Sequence, residues 1–125
     1  MNAKGLRVVA AALSLAAVAG CQRDGQVSYA KDVAPILEKN CKYCHVAGQA
    51  GYVVSGFELE GYDSLMRGTQ YGPVVLPGDP LTSTLVMLVE GRADPSLNMP
   101  HNAKPLSKED IATIRLWVEQ GAKNN

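Results

Sequence analysis

Apolar residues recur at helical spacing in several stretches of this chain, separated by long segments rich in turn formers. The clearest stretch is the last, where Ile111, Ile114, Trp117 and Val118 line one face of a helix. Ser107-Lys108-Glu109-Asp110 resembles a capping box with Asp in place of Glu, and Gly121 marks the stop. Val27 to Asn40 places Val33, Ile36 and Leu37 at i, i+3 and i+4. Ser28 or Asp32 can cap it, and Pro35 is tolerated only in its first turn. Leu81 to Glu90 carries Leu81, Leu85, Leu88 and Val89 at the same period, with Thr82 or Ser83 near the cap and Gly91 at the stop. Asp63 to Arg67 is a shorter candidate. The rest of residues 48–80 is loop, with turn chemistry at Gly72-Pro73 and Pro77-Gly78-Asp79-Pro80. Val53-Val54 and Val74-Val75-Leu76 read as extended loop segments and not as strands. The pattern predicts an all-α fold of about four helices with long Gly/Pro-rich loops.

The N-terminus follows a different logic. Lys4 and Arg7 precede an apolar run from Val8 to Val18, which is an export signal and too short to span a bilayer. Val18-Ala19-Gly20-Cys21 resembles the lipobox of bacterial lipoproteins, in which the signal is cleaved before the cysteine and its thiol receives a diacylglyceryl group. An ordinary secretory signal with a stray thiol at Cys21 is the plainer alternative. The expected division is a lipoprotein signal peptide over 1–20, a short tether over 21–26 and one domain over 27–125. Such a tether reaches only about 15–20 Å when extended, which keeps the domain near a bacterial membrane on its periplasmic side. Gln22 is compatible with outer-membrane sorting, and the sequence assigns neither membrane.

Removing residues 1–20 takes away Lys4 and Arg7 and no acid, leaving ten basic against twelve acidic residues, a net charge of −2. No basic run or face emerges, so nucleic-acid binding has no footprint.

The chemistry sits in Cys41-Lys42-Tyr43-Cys44-His45, a C-x-x-C-H run. Two thiols at this spacing can each form a thioether to one haem vinyl group, and the adjacent imidazole can then bind the iron. Zinc would need further ligands, and beyond this cluster the exported chain offers only His101 and no other Cys. A thioredoxin-like pair follows a strand, whereas a helix leads into Cys41. A disulfide closing so short a loop would add little stability and leave His45 without a role. Cysteine use then closes, with Cys21 for lipid and Cys41 and Cys44 for one covalent haem c. The Val53-Val54 and Val74–Leu76 segments are expected to pack on it.

A haem in an electron carrier needs a second axial ligand, for which Met66, Met87 and Met99 are the candidate thioethers. Met66 and Met87 fall on helices, where Met is more often core filler. Met99 precedes Pro100, which biases its backbone toward extended geometry and stiffens the loop. His101 is the competing ligand, and its plain reading is a solvated loop histidine. Iron would thus be held by His45 and Met99.

With these residues in place the chain resembles the class I c-type cytochromes, and within them the small family named from planctomycete cytochromes. Val33-Ala34-Pro35-Ile36-Leu37 before the Cys41–His45 motif is similar to that family's opening helix. Gly56-Phe57-Glu58-Leu59, Pro77-Gly78-Asp79-Pro80, Ser83-Thr84-Leu85, Asn98-Met99-Pro100 and Trp117-Val118-Glu119-Gln120-Gly121-Ala122 are similar to its later landmarks. The chain departs at Ser55-Gly56, where paired glycines are common, and at His101, where the family often has proline. The resemblance implies the class I fold, with crossing first and last helices enclosing one haem, His45 and Met99 as axial ligands, and a proline carbonyl, here Pro73, accepting from His45 Nδ1. It implies a single-electron carrier and not an enzyme, exchanging electrons with redox partner proteins. A haem subunit of a membrane oxidoreductase complex and a ligand-binding sensor or peroxidatic haem protein are the alternatives.

Overall fold

A computed structural model describes residues 25–125. The expected export signal and Cys21 lie outside the described residues. The first element among the described residues is a π-helical turn, Tyr29–Val33, that runs directly into α1, Ala34–Asn40. Both predicted caps are used: Ser28 Oγ accepts from the Lys31 N–H at 3.2 Å, and Asp32 Oδ2 accepts from the Ser28 N–H at 2.8 Å. Pro35 falls in the first turn of α1, where its missing N–H costs nothing. The turn before it is widened, with the Val33 N–H bonded to the Ser28 carbonyl, which removes the clash a proline ring makes with the preceding α-helical turn.

The helices that follow are α2 (Ala50–Ser55), α3 (Tyr62–Arg67), α4 (Thr84–Val89), a 3₁₀ turn at Pro95–Leu97 and α5 (Lys108–Glu119). No strand occurs among the described residues, only an isolated bridge between Thr69 and Gly72. The all-α expectation holds, with α1, α4 and α5 the helices the periodicity marks and α3 the shorter candidate at Asp63 to Arg67. Helix α2 was not expected. Its Gly51, Val53 and Val54 are poor helix formers, and it is held by contacts outside itself. The Tyr52 N–H donates to the Cys44 carbonyl at 3.1 Å, and Gln70 donates from its N–H to Ser55 O at 3.0 Å and from Nε2 to Val54 O at 3.1 Å. Val53 and Val54 are therefore helical and exposed, not extended. Val74, Val75 and Leu76 are non-helical, as expected, with the two valines buried in the core and Leu76 39% exposed. Helix α4 starts later than its pattern predicts, leaving Leu81 exposed, because the Ser83 hydroxyl bonds to Asp79 O at 2.7 Å and accepts from the Leu76 N–H at 2.8 Å, bracing the preceding turn instead of capping.

The core runs between the first and last elements. Val33, Leu65, Val86, Ile114 and Val118 are fully buried, and Trp117 is 1% exposed. Tyr29 and Tyr62 meet edge-on at 5.2 Å, and Trp117 lies 5.6 Å from Tyr29. Their polar tips are satisfied: Trp117 Nε1 donates to Lys123 O at 2.9 Å and the Tyr62 hydroxyl to Ala122 O at 2.8 Å. Both acceptors follow Gly121, whose φ of +97° ends α5 and turns the chain back over the indole. Residues 27–30 then pair with this tail. The Val27 N–H donates to Gln120 Oε1 at 2.7 Å, the Tyr29 N–H to Asn125 Oδ1 at 2.8 Å and the Ala30 N–H to Asn125 O at 3.0 Å.

Trp117→Ala removes the side chain on which this junction converges. A loss of about 3–5 kcal/mol is expected, read as a lower urea midpoint by far-UV circular dichroism on the haem-loaded protein.

Candidate haem site

Helix α1 does not stop cleanly at Asn40. The N–H groups of Cys41 and Lys42 both reach back to Leu37 O, at 2.8 and 3.0 Å. The chain then tightens, with the Cys44 N–H on Cys41 O at 3.1 Å and the His45 N–H shared between Cys41 O at 3.2 Å and Lys42 O at 3.1 Å. Cys41 and Cys44 are thus free thiols one turn apart on a rigid extension of a core helix. Cys41 packs against the apolar core, and burial pushes its thiol up to about 11, with Cys44 adding to the shift. Cys44 is exposed.

His45 is half-buried and held from three directions. Its carbonyl accepts from the Leu59 N–H at 2.7 Å, and the carbonyl before it, that of Cys44, accepts from Tyr52. The Phe57 ring meets the imidazole edge-on with centroids 5.1 Å apart. Gly51 abuts the ring on its Nδ1–Cε1 side, where an added Cβ would lie 2.8 Å from Cε1 and 2.9 Å from Nδ1. Nδ1 is buried without a hydrogen-bond partner, so the Pro73 carbonyl does not accept from it. Burial lowers the imidazole pKa and the Phe57 backbone opposes the shift from outside bonding geometry, leaving a ring biased to the neutral form that binds metals. Nδ1 is the ring nitrogen enclosed by protein, which leaves Nε2 for a ligand bond. The paired thiols and this imidazole fit a covalently attached haem. The convergent His/Cys/Asp/Glu grouping a zinc site needs has no counterpart among the described residues.

The sixth-ligand candidates Met99 and His101 sit on the loop that follows α4. After the 3₁₀ turn, capped by Asp94 Oδ1 accepting from the Ser96 N–H at 2.9 Å, the Met99 N–H donates to Leu88 O at 3.3 Å and ties the loop to α4. Met99 and His101 line one cavity of about 440 Å³ together with Leu88, Asn98, Pro105 and Ile111. Met99 is half-buried and His101 exposed. Asn98 Oδ1 is buried there without a partner. Cys41, Cys44 and His45 do not line this cavity. Met66 packs against the core and Met87 is half-buried on α4, in keeping with filler roles.

Comparison with protein families matches residues 41–102 to the family described as planctomycete cytochrome C. The chain belongs to this family. The matched stretch spans the Cys41–His45 motif, Met99 and His101. Searches of curated proteins and of solved structures find no match. Membership in a cytochrome c family gives the chain a haem-based role in electron transfer, with haem c and its iron as cofactor. Among the described residues no helix is long and apolar enough to cross a membrane.

Sequence reasoning did not find Gly51 or Tyr52 as supports of the motif. Phe57 and Leu59 were marked as family landmarks without a role, and the structure supplies one, since both touch His45.

The buried Cys41 thiol generates a measurable expectation. In the haem-free chain with its helices intact, carboxamidomethylation of Cys41 rises with pH around a midpoint near 11. After unfolding in urea the midpoint falls to the ordinary 9.0. Superimposable profiles in the two states contradict the burial.

Proposed function

We propose that this cytochrome is a single-electron carrier in which Cys41 and Cys44 hold haem c through thioethers and His45 and Met99 occupy the two axial positions. The observation that carries the reading is His45 itself, with Nδ1 enclosed against Gly51 and the main chain clamped on both sides of the motif turn. When bound, the haem supplies a one-electron iron couple. The residues of the chain do the rest. The two sulfurs fix the group to an extension of α1, so it cannot dissociate between encounters. Leu59 and Tyr52 hold the backbone of the motif, and Phe57 and Gly51 bound the ring. Met99, on a loop tied to Leu88, would supply the second iron ligand, which would leave no site for a substrate on the metal and suit the protein to carrying electrons without catalysing a reaction.

The ionic setting fits this use. The near-neutral exported chain gives weak long-range steering. Beside the motif Lys42 is loosely paired with Glu60 at 4.0 Å, and Tyr43 is 83% exposed. A redox partner protein would meet this edge. Lipid on Cys21 would tether the carrier to a bacterial membrane facing the periplasm, either as a shuttle or as a haem subunit of a membrane oxidoreductase complex.

One observation favours a second ligand reading: His101 lines the same cavity as Met99. Ligation by His101 would make a bis-histidine haem of lower potential. The two are separated by the far-red sulfur-to-iron charge-transfer band of the oxidised protein. Met99→Ala should abolish it and open the reduced protein to carbon monoxide, while His101→Ala should leave it in place. Absence of the band from the parent, with low-spin character lost on His101→Ala, reassigns the ligand to His101.

A further inference from the structure

The first turn of α2 lies closer to His45 than any side chain would permit. A Cβ on Gly51 would stand 2.7 Å from Cys44 O, 2.8 Å from His45 Cε1 and 2.9 Å from His45 Nδ1, all inside the closest approach of real Cβ atoms. Gly51 does not have the positive φ found at seven other glycines of the chain, so backbone conformation does not call for glycine here. Alanine would favour the helix. What calls for glycine is space.

The two neighbours cannot yield equally. Cys44 O is fixed by the Tyr52 N–H at 3.1 Å, the residue next to Gly51, so that contact moves with α2 and offers no relief. The imidazole is a side chain on rotatable bonds, with Phe57 bounding it at 5.1 Å between centroids. Crowding at position 51 therefore falls on the ring.

Taking His45 as an axial ligand, as proposed above, we propose that Gly51 is a positioning residue for that ligand: its bare Cα is the wall that sets the rotation of the imidazole. The Phe57 backbone approaches the imidazole without completing a hydrogen bond of ordinary geometry to Nδ1, so the device by which metal-binding histidines are usually held is weak here. Steric contact supplements it, from Gly51 on the Nδ1–Cε1 side and from the Phe57 ring.

The test compares the haem-loaded parent with Gly51→Ala and with Ala50→Ser, a neighbouring exposed position on the same helix. The readouts are electron paramagnetic resonance of the oxidised low-spin haem and the reduction potential, which respond to ligand orientation and not to mere loss of stability. Gly51→Ala is expected to keep covalent haem and to shift both the largest g value and the potential, while Ala50→Ser keeps the parental values. Parental values in a fully loaded Gly51→Ala overturn the proposal. If Gly51→Ala does not accumulate, Gly51→Ala/Phe57→Leu decides, because a smaller side chain at 57 gives the ring room to retreat. Recovery of a loaded protein with a shifted signal supports the proposal, and no recovery overturns it. Ligation by His45 is read separately, from loss of the parental low-spin signal in His45→Ala. If that signal survives, the functional reading fails, whatever Gly51→Ala does.

Discussion

Two main-chain hydrogen bonds fix the cysteine-histidine turn against the segment that follows it. Tyr52 donates to the carbonyl of Cys44, and Leu59 donates to the carbonyl of His45. Gly51, next to Tyr52 in the chain, and Phe57, between the two donors, are the residues that bound the imidazole. Removing either clamp would free the backbone on which the candidate ligand and the second thiol are mounted. Placing reactive groups on a rigid element matters for a carrier, because geometry that changes little between oxidation states leaves little reorganisation to oppose transfer. Helix α2 is short and solvent-facing, and its value lies in these contacts.

The turn inherits its position from the opposite end of the molecule. Helix α1 leads directly into Cys41, and the π turn before it is pinned by the chain after α5 through Gln120 and Asn125. Trp117 and Tyr62 satisfy their polar atoms on that same tail, so one aromatic cluster secures both the first and last elements. Burial of Val33 and Leu37 on α1 and of Ile114 and Val118 on α5 supplies the apolar attraction that makes these bonds worth forming.

Periodicity made α1, α4 and α5 readable, because each buries one stripe and their apolar spacing reports it. Pro35 was readable for a different reason: proline tolerates few places in a helix, and the structure puts it in one of them. Helix α2 was not legible, since Gly51, Val53 and Val54 disfavour a helix and its supports are the backbone carbonyl of Cys44 and bonds from Gln70. The clamps on the motif carry no side-chain identity, so no residue type announces them. The role of Gly51 was hidden for the same reason, because the absence of a side chain shows its purpose only when its neighbours are in place. The Cys41–His45 run, by contrast, needed no structure to suggest its chemistry, and the candidates Met99 and His101 share one cavity as the sequence left them, side by side.

Attachment of one haem through the two motif sulfurs is the claim on which the electron-carrying role rests. Intact mass spectrometry under denaturing conditions, on protein made alongside competent haem-maturation machinery, tests it most directly when paired with peptide mapping. The chain should carry the additional mass of one haem, retained on the peptide containing Cys41, Cys44 and His45. A chain at its bare mass, or a pigment that passes into acidified acetone, would contradict the account.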